Sequence, residues 1–126
     1  MRAKTVEDLL VYQKSLDGIA AISPILALPQ VCKDCELHDQ LSESTGNIPG
    51  QIAEGFGQLT DRHFAHYLGI ARGSAQETRG HLASAREKKL ISRETEIPVS
   101  GLYQDLVDML SAFIEYLRRS NRSDRW

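Results

Sequence analysis

Residues 64–85, "FAHYLGIARGSAQETRGHLASA", give the clearest indication of the architecture of this protein. Apolar and small residues recur in this stretch at alternating spacings of four and three, the heptad pattern of a helix that packs along one seam. The seam residues are Phe64, Leu68, Ala71, Ala75, Thr78, Leu82 and Ala85. Small residues along the seam permit close approach of a neighbouring helix. With Thr60 or Asp61 as the N-cap, the pattern predicts a helix over 61–89, about 40 Å long at roughly 1.5 Å rise per residue.

Three further helices are predicted around this one. Thr5 can cap a helix over about 5–28, with acids in its first turn, while Pro24 and Pro29 weaken its far end. Apolar residues at helical spacing predict two more helices, over about 37–59 and 99–119, with 29–36 and 90–98 as connections. No run of period two is evident, so we expect an all-α protein. Connections of these lengths favour antiparallel neighbours, and thus an up-down-up-down four-helix bundle.

The predicted second helix contains proline and glycine. Pro49 removes the hydrogen bond to the Thr45 carbonyl and clashes with it, at about 3 kcal/mol, which predicts a kink near residues 45–49. Gly46 and Gly50 lie four apart and expose backbone to which another helix can pack closely. Each helical glycine costs about 1 kcal/mol relative to alanine, so close packing or a partner must offset the loss.

Composition sets limits on the class of protein. The chain has 126 residues, 41% of them apolar and 25% charged, with a formal charge of −2. This fits one domain, 1–126, rather than disorder or a globally basic nucleic-acid binder, so an electrostatic partner must meet a local patch. The longest apolar run, 19–28, is shorter than the roughly 20 residues of a membrane span. Acids at Glu7 and Asp8 argue against a signal peptide and predict a cytoplasmic protein with reduced cysteines.

Four segments together carry a family resemblance: "LVYQKS" (10–15), "LHDQL" (37–41), "IPGQIAEGFG" (48–57) and "FAHYLGIARGSAQE" (64–77). Their order and the motifs Ile-Ala-Glu-Gly and Gly-Ser-x-x-Glu resemble the four-helix-bundle family of proteins encoded in 23S ribosomal RNA intervening sequences. That family includes relatives of the accessory variability determinant of diversity-generating retroelements. The resemblance implies a homopentameric barrel and, for some relatives, binding to nucleic acid or to a reverse transcriptase. The chain departs from the family pattern at Gln51, where Asn is common, and at Ser42 and Glu43, where basic residues are common.

The motif residues are expected to be structural. They are Pro49, Glu54, Gly55, Gly73, Ser74 and Glu77. We expect the two carboxylates to be half-buried and to accept hydrogen bonds from Arg72, Arg79 or Ser74. A catalytic or metal-binding pair is disfavoured, because no His stands three residues after a Glu.

Arginines form two further groups. Arg72, Arg79 and Arg86 are each seven apart on one flank of the seam, and Arg93 continues the spacing. This stripe can bind phosphates, or it can pair with acids across a protomer interface, which is the favoured interpretation. The second group is the predicted flexible basic tail, 120–126, with the residues just before it. It comprises Arg118, Arg119, Arg122 and Arg125, followed by Trp126, and can contact RNA backbone and stack a base or simply be solvated.

Cys32, Cys35 and His38 resemble part of a zinc knuckle. Three ligands do not fill a tetrahedral site, so incidental thiols are the default, and we expect no cofactor and no metal. His63 and His66 are one turn apart, but as exposed polar residues they need no metal to explain them.

Two functions follow from these patterns. The first is a non-enzymatic homo-oligomeric scaffold, expected to be a homopentamer, that binds structured RNA or DNA, or a nucleic-acid-processing partner such as a reverse transcriptase. The second is a structural or regulatory protein-interaction assembly without nucleic-acid binding. An enzyme is disfavoured, since the chain has no nucleophile and base arrangement, phosphate loop or complete metal motif. Net acidity favours the second function and the family resemblance the first.

Overall fold

The computed structural model describes residues 3–120, and all regular secondary structure in that range is helical. A 3₁₀ turn at Val6–Asp8 precedes five α-helices. These are α1 (Leu10–Leu26), α2 (Pro29–Lys33), α3 (Cys35–Phe56), α4 (Asp61–Glu87) and α5 (Arg93–Ser120). The four long helices pack as a bundle, with α1 against α3 and α5, and α4 against α3 and α5. The prediction of an all-α protein is confirmed.

The helix predicted over 5–28 is shorter at both ends, because α1 covers only Leu10–Leu26. The Asp8 carboxylate accepts hydrogen bonds from the backbone N–H groups of Thr5 (3.1 Å) and Lys4 (3.0 Å), which close the 3₁₀ turn and lower the pKa of Asp8. Leu9 is then extended, so α1 begins at Leu10. Leu28 is also extended, as expected for a residue before a proline, and Pro29 takes the first position of α2.

Residues 29–36 are not the simple connection that was predicted, because they contain α2 and the start of α3. Asp34 caps α3 by accepting from the backbone N–H of Leu37 (3.2 Å). The same carboxylate accepts from Lys88 Nζ at 2.9 Å, and the Lys88 and Leu37 bonds together lower the pKa of Asp34. Helix α3 continues through Pro49, and the kink expected there stays a prediction.

Helix α5 begins at Arg93, six residues before its predicted start at 99. Ser92 initiates it by accepting from the backbone N–H of Thr95 (3.1 Å). Pro98 lies within the second turn, where it leaves the carbonyl of Glu94 without its helical donor. Both Pro98 and Glu94 are exposed, so water can satisfy that carbonyl and the helix tolerates the proline.

The α4 seam forms the centre of the core. All seven predicted seam residues are buried, and all of them except Phe64, which is 2% exposed, have no exposed surface. Tyr103 of α5 is also fully buried and packs against Gly18 of α1. A Cβ at Gly18 would lie 2.6 Å from Tyr103 Oη, so α1 and α5 need glycine there.

Within residues 3–120, no helix combines the length and apolar character needed to cross a membrane.

Candidate functional site

Three arginines of α4 line its contact with α5. Arg72 Nη1 donates to Ser111 Oγ (3.2 Å), and Arg79 Nε donates to Ser100 Oγ (3.2 Å). Arg79 Nη1 also donates to the side-chain oxygen of Gln104. The arginines at seven-residue spacing therefore do lie along one flank of α4, and their hydrogen-bond partners belong to the same chain.

Arg86 makes the strongest of these contacts. Its Nε lies 2.6 Å from a carboxylate oxygen of Glu96, whose side chain is only 13% exposed, and its Nη1 lies 4.0 Å from Glu87. Removing one member of a close pair costs more stability when the other is nearly buried than when both are exposed, because a nearly buried charge would be left without a partner.

The arginine stripe thus has partners within its own protomer. Pairing across a protomer interface, the favoured interpretation, stays a prediction, and α5 of the same protomer supplies partners for Arg72, Arg79 and Arg86. The physical reason is that α5 lies along this flank of α4 and presents hydroxyls, an amide and a carboxylate to it. Arg93 is separate from the other three and exposed at the start of α5.

The second arginine group is only partly within the described residues. Arg118 and Arg119 lie in the last turn of α5 and are exposed. Arg119 Nε is 3.9 Å from Glu115 one turn earlier, a surface pair of little energetic value. Arg122, Arg125 and Trp126 lie outside the described residues.

The motif carboxylates, Glu54 and Glu77, were predicted to be half-buried. Both are exposed. Glu54 accepts a hydrogen bond from the hydroxyl of Tyr67, and that bond, together with the negative charge, raises the pKa of Tyr67. Glu77 lies 3.4 Å from His81 Nε2 one turn later on α4. Both carboxylates face the solvent side of their helices, so their partners are Tyr67 and His81 rather than the predicted donors.

Ser74 has a different partner from the predicted one. It is buried, and its hydroxyl donates to the side-chain oxygen of Gln51 at 2.9 Å, which joins α3 to α4. A second buried link joins the same helices, where Ser44 Oγ and Thr78 Oγ1 are 2.8 Å apart. One signal in the sequence could have found these links: a polar residue within an otherwise apolar seam, as at Thr78, needs a partner.

Glycines of α3 and α4 fall into two kinds. A Cβ at Gly55 would lie 2.8 Å from Tyr67 Cβ, so this motif glycine permits close contact between α3 and α4. In contrast, the outward-facing glycines have open space where a Cβ would be. These are Gly46 and Gly50 on α3, and Gly69, Gly73 and Gly80 on α4. The prediction of close packing at Gly50 is therefore not met within residues 3–120 of the protomer.

The cysteines and histidines do not converge. Cys32 and Cys35 are exposed free thiols, and Cys32 Sγ is 3.1 Å from the Leu26 carbonyl. Across residues 3–120, no group of three or more His, Cys, Asp or Glu side chains is placed to hold a metal ion. His63 Nδ1 instead bonds the Thr60 hydroxyl at 2.8 Å, which supports the N-cap of α4.

Comparison with known proteins places this bundle among relatives. The chain matches the family model described as "23S rRNA-intervening sequence protein" over residues 7–112. It is similar to the crystal structure, at 1.70 Å, of a protein of unknown function of the S23 ribosomal protein family from Bacteroides thetaiotaomicron VPI-5482. That match has a TM-score of 0.77 at 22% identity and covers 84% of this chain and 99% of the other, so it shows the fold alone. No curated protein matches the chain. Neither description names an enzymatic activity.

Proposed function

We propose that this chain, which belongs to the 23S rRNA-intervening sequence protein family, is a non-enzymatic homo-oligomeric scaffold that binds structured nucleic acid or a nucleic-acid-processing partner such as a reverse transcriptase. The protomer would be an up-down-up-down bundle, bent near Pro49, and five copies would close a ring or barrel. The family resemblance supports the pentamer and the nucleic-acid connection.

Contacts at the two ends of the bundle support the antiparallel arrangement. The start of α3 meets the end of α4, the start of α4 meets the end of α5, and α2, which follows α1, meets the loop before α5. These contacts are Lys88 Nζ to Asp34 (2.9 Å), Ser120 Oγ to Asp61 (2.6 Å) and Gln30 Nε2 to the Leu90 carbonyl (3.1 Å).

The open glycines are the observation that carries the assembly. Gly69, Gly73 and Gly80 follow one another along the outer face of α4, and Gly46 and Gly50 do so on α3. Each costs about 1 kcal/mol relative to alanine in a helix, and nothing among residues 3–120 uses the space that the missing side chain leaves. A helix of a second copy packed against these faces would use it, since bare backbone permits close approach.

The nucleic-acid part of the proposal rests on exposed cations at the end of α5. Within residues 3–120, Glu115 is the one carboxylate close to Arg118 or Arg119, and both arginines project from the last turn of a helix in each copy. In a ring these pairs would repeat around one rim and provide a basic surface that the net charge of −2 does not reveal.

The alternative is a structural or regulatory assembly without nucleic-acid binding. One observation favours it: contacts with α5 already use hydrogen-bond donors of Arg72, Arg79 and Arg86, and Glu96 pairs with the charge of Arg86. The two functions share the oligomer and differ in whether RNA or DNA binds.

Fluorescence anisotropy of a labelled structured RNA, with sedimentation on the same sample, separates the two. Arg118→Gln/Arg119→Gln should leave the oligomer intact and reduce the salt slope of log K by about 2, because two fewer phosphates would be neutralised. The matched control, Lys14→Gln/Lys33→Gln, removes two charges elsewhere and should leave the slope nearly unchanged. No binding at low salt from an intact oligomer would reject the nucleic-acid role and leave the alternative.

A further inference from the structure

An open pocket of about 600 Å³ lies where α4 passes into α5, beside the loop between α1 and α2. Arg86, Lys89 and Arg93 contribute its basic side chains, and no carboxylate lines it among the described residues. Leu28 and Leu90 form apolar wall. The volume is within the range of small-molecule sites, which combine apolar walls with a few polar groups.

Lys89 and Arg93 supply the positive charge at the pocket. Arg86 is held by Glu96 at 2.6 Å, and the neighbouring Lys88 by Asp34 at 2.9 Å. Lys89 and Arg93 are exposed, and within residues 3–120 neither has a carboxylate within 4 Å. Glu96 and Asp34 are thus taken by the neighbouring cations, and Lys89 and Arg93 keep their charges available to a ligand.

A hydroxyl and a helix terminus add donors on the same wall. Ser92 Oγ donates to Thr95 Oγ1 at 3.0 Å, so the hydroxyl hydrogen of Thr95 remains available to a ligand. Both hydroxyls line the pocket at the N-terminus of the 28-residue helix α5. The partial positive charge of a helix N-terminus adds to the attraction for an anion.

The backbone at Lys89 has an unusual conformation for a lysine. Its φ is +63°, in the left-handed region that glycine prefers. The bonds from Leu90 N–H to the Ala85 carbonyl (2.9 Å) and from Lys89 N–H to the Arg86 carbonyl (2.8 Å) form the Schellman motif that ends α4. Glycine would fit this position with less strain, so a Lys89→Gly variant removes the side chain and keeps the fold.

We propose that this pocket binds a phosphate monoester of nucleotide size. Lys89, Arg93 and the Thr95 hydroxyl would contact the phosphate, and Leu28 and Leu90 would contact the less polar part of the ligand. The proposal is independent of RNA binding at the end of α5 and of oligomerisation, because all these residues belong to one protomer. The phosphate monoester could come from a free nucleotide or from the 5′ end of an RNA.

Isothermal titration calorimetry of the full chain at low salt tests the site with adenosine 5′-monophosphate, adenosine and inorganic phosphate. We expect the nucleotide to bind, phosphate to bind more weakly, and adenosine not to bind. Lys89→Gly and Arg93→Gln should each weaken nucleotide binding about tenfold or more, since each removes a charge-assisted hydrogen bond. Lys33→Gln, a cation of α2 outside the pocket lining, should bind as the unmodified protein does.

The melting temperature of Lys89→Gly should be unchanged or higher, which separates a weaker site from unfolding. Short RNAs with and without a 5′ phosphate identify the source of the phosphate monoester. Tighter binding of the phosphorylated RNA than of the free nucleotide assigns an RNA end, and the reverse assigns a free nucleotide. Absence of nucleotide binding at millimolar concentration, or equal affinity in Lys89→Gly and the unmodified protein, would overturn the proposal. The Arg118/Arg119 experiment concerns the other end of α5, so the two proposals fail separately.

Discussion

The hydroxyl of Tyr103 is predicted to lower the stability of the bundle. Tyr103 has no exposed surface, and its Oη has no hydrogen-bond partner within residues 3–120. A buried hydroxyl without a partner costs about 1–3 kcal/mol relative to its hydration in the unfolded chain. Tyr103→Phe removes this group and keeps the ring against Gly18. We expect a gain of about 1 kcal/mol in the free energy of unfolding.

The gain corresponds to about 4 °C in melting temperature. This follows from an unfolding entropy of roughly 2.1 cal/mol/K per residue over the chain. Urea denaturation at pH 7, followed by circular dichroism, measures the free energy directly. Tyr116→Phe is the matched control, because Tyr116 is 59% exposed and the removal of its hydroxyl should change little.

The same residue predicts a difference at alkaline pH. Burial raises the pKa of Tyr103 well above its ordinary value of 10.0, because the phenolate would lose its hydration. Above pH 10 the unfolded chain releases this proton and the folded chain keeps it, so the contribution to stability is present below pH 10 and falls as the pH rises. From pH 9 to pH 11 the unmodified protein should lose about 1.4 kcal/mol more than Tyr103→Phe, as one tyrosine with an unfolded pKa near 10 requires.

Two results would refute this reasoning. If Tyr103→Phe lowers the free energy of unfolding at pH 7 by about 1 kcal/mol or more, the hydroxyl has a stabilising partner. If the stability of the two proteins falls in parallel from pH 9 to pH 11, Tyr103 ionises as readily in the folded as in the unfolded chain.

Three further substitutions test packing, assembly and charge. Ala71→Leu should destabilise by about 1–3 kcal/mol, measured by urea denaturation, because Ala71 is fully buried and the extra volume must displace neighbours. Gly50→Leu should keep or raise the melting temperature, since the position is open. If the α3 face binds a second copy, the same variant should have a lower mass in sedimentation. A drop in stability without a change in mass would contradict the role of this face. Arg86→Ala should destabilise by about 2 kcal/mol because Glu96 would be left nearly buried and unpaired. Glu96→Ala should have a smaller effect in the same denaturation experiment. Equal effects of the two substitutions would mean that burial of the carboxylate is not the cause.

The core of this fold is easier to predict from sequence than its ends. The heptad spacing of α4 identifies the buried seam because burial along a helix follows directly from period. The start of α5 could not be predicted from spacing, because a proline such as Pro98 usually marks a helix boundary. Ser92, with Glu94 two residues later and Glu96 four residues later, is the better signal, since a cap and first-turn acids mark a helix start.

Partners across helices could not be predicted from spacing. The stripe of Arg72, Arg79 and Arg86 is visible in the sequence, but which groups face it depends on how α5 lies against α4. Half-burial of Glu54 and Glu77 was predicted because apolar or small residues stand next to them in the sequence. Their positions around the helix axis instead place both side chains toward solvent. The pocket beside Lys89 has no sequence signal, because a lysine at positive φ is an exception to residue preference.

The buried hydroxyl pair of Ser44 and Thr78 fixes the axial alignment of α3 and α4. Thr78 Oγ1 donates to the Ser74 carbonyl at 3.0 Å, so Ser44 Oγ is the donor in the bond between the two hydroxyls, and this bond forms only when these two turns are level. Sliding one helix past the other by a turn, about 5.4 Å, would break this bond and leave each hydroxyl only the carbonyl acceptor in its own helix. Alanine and leucine alone would tolerate several alignments, whereas this pair penalises all but one. Replacing both by alanine and valine should therefore cost little stability, yet permit alternative alignments of the two helices.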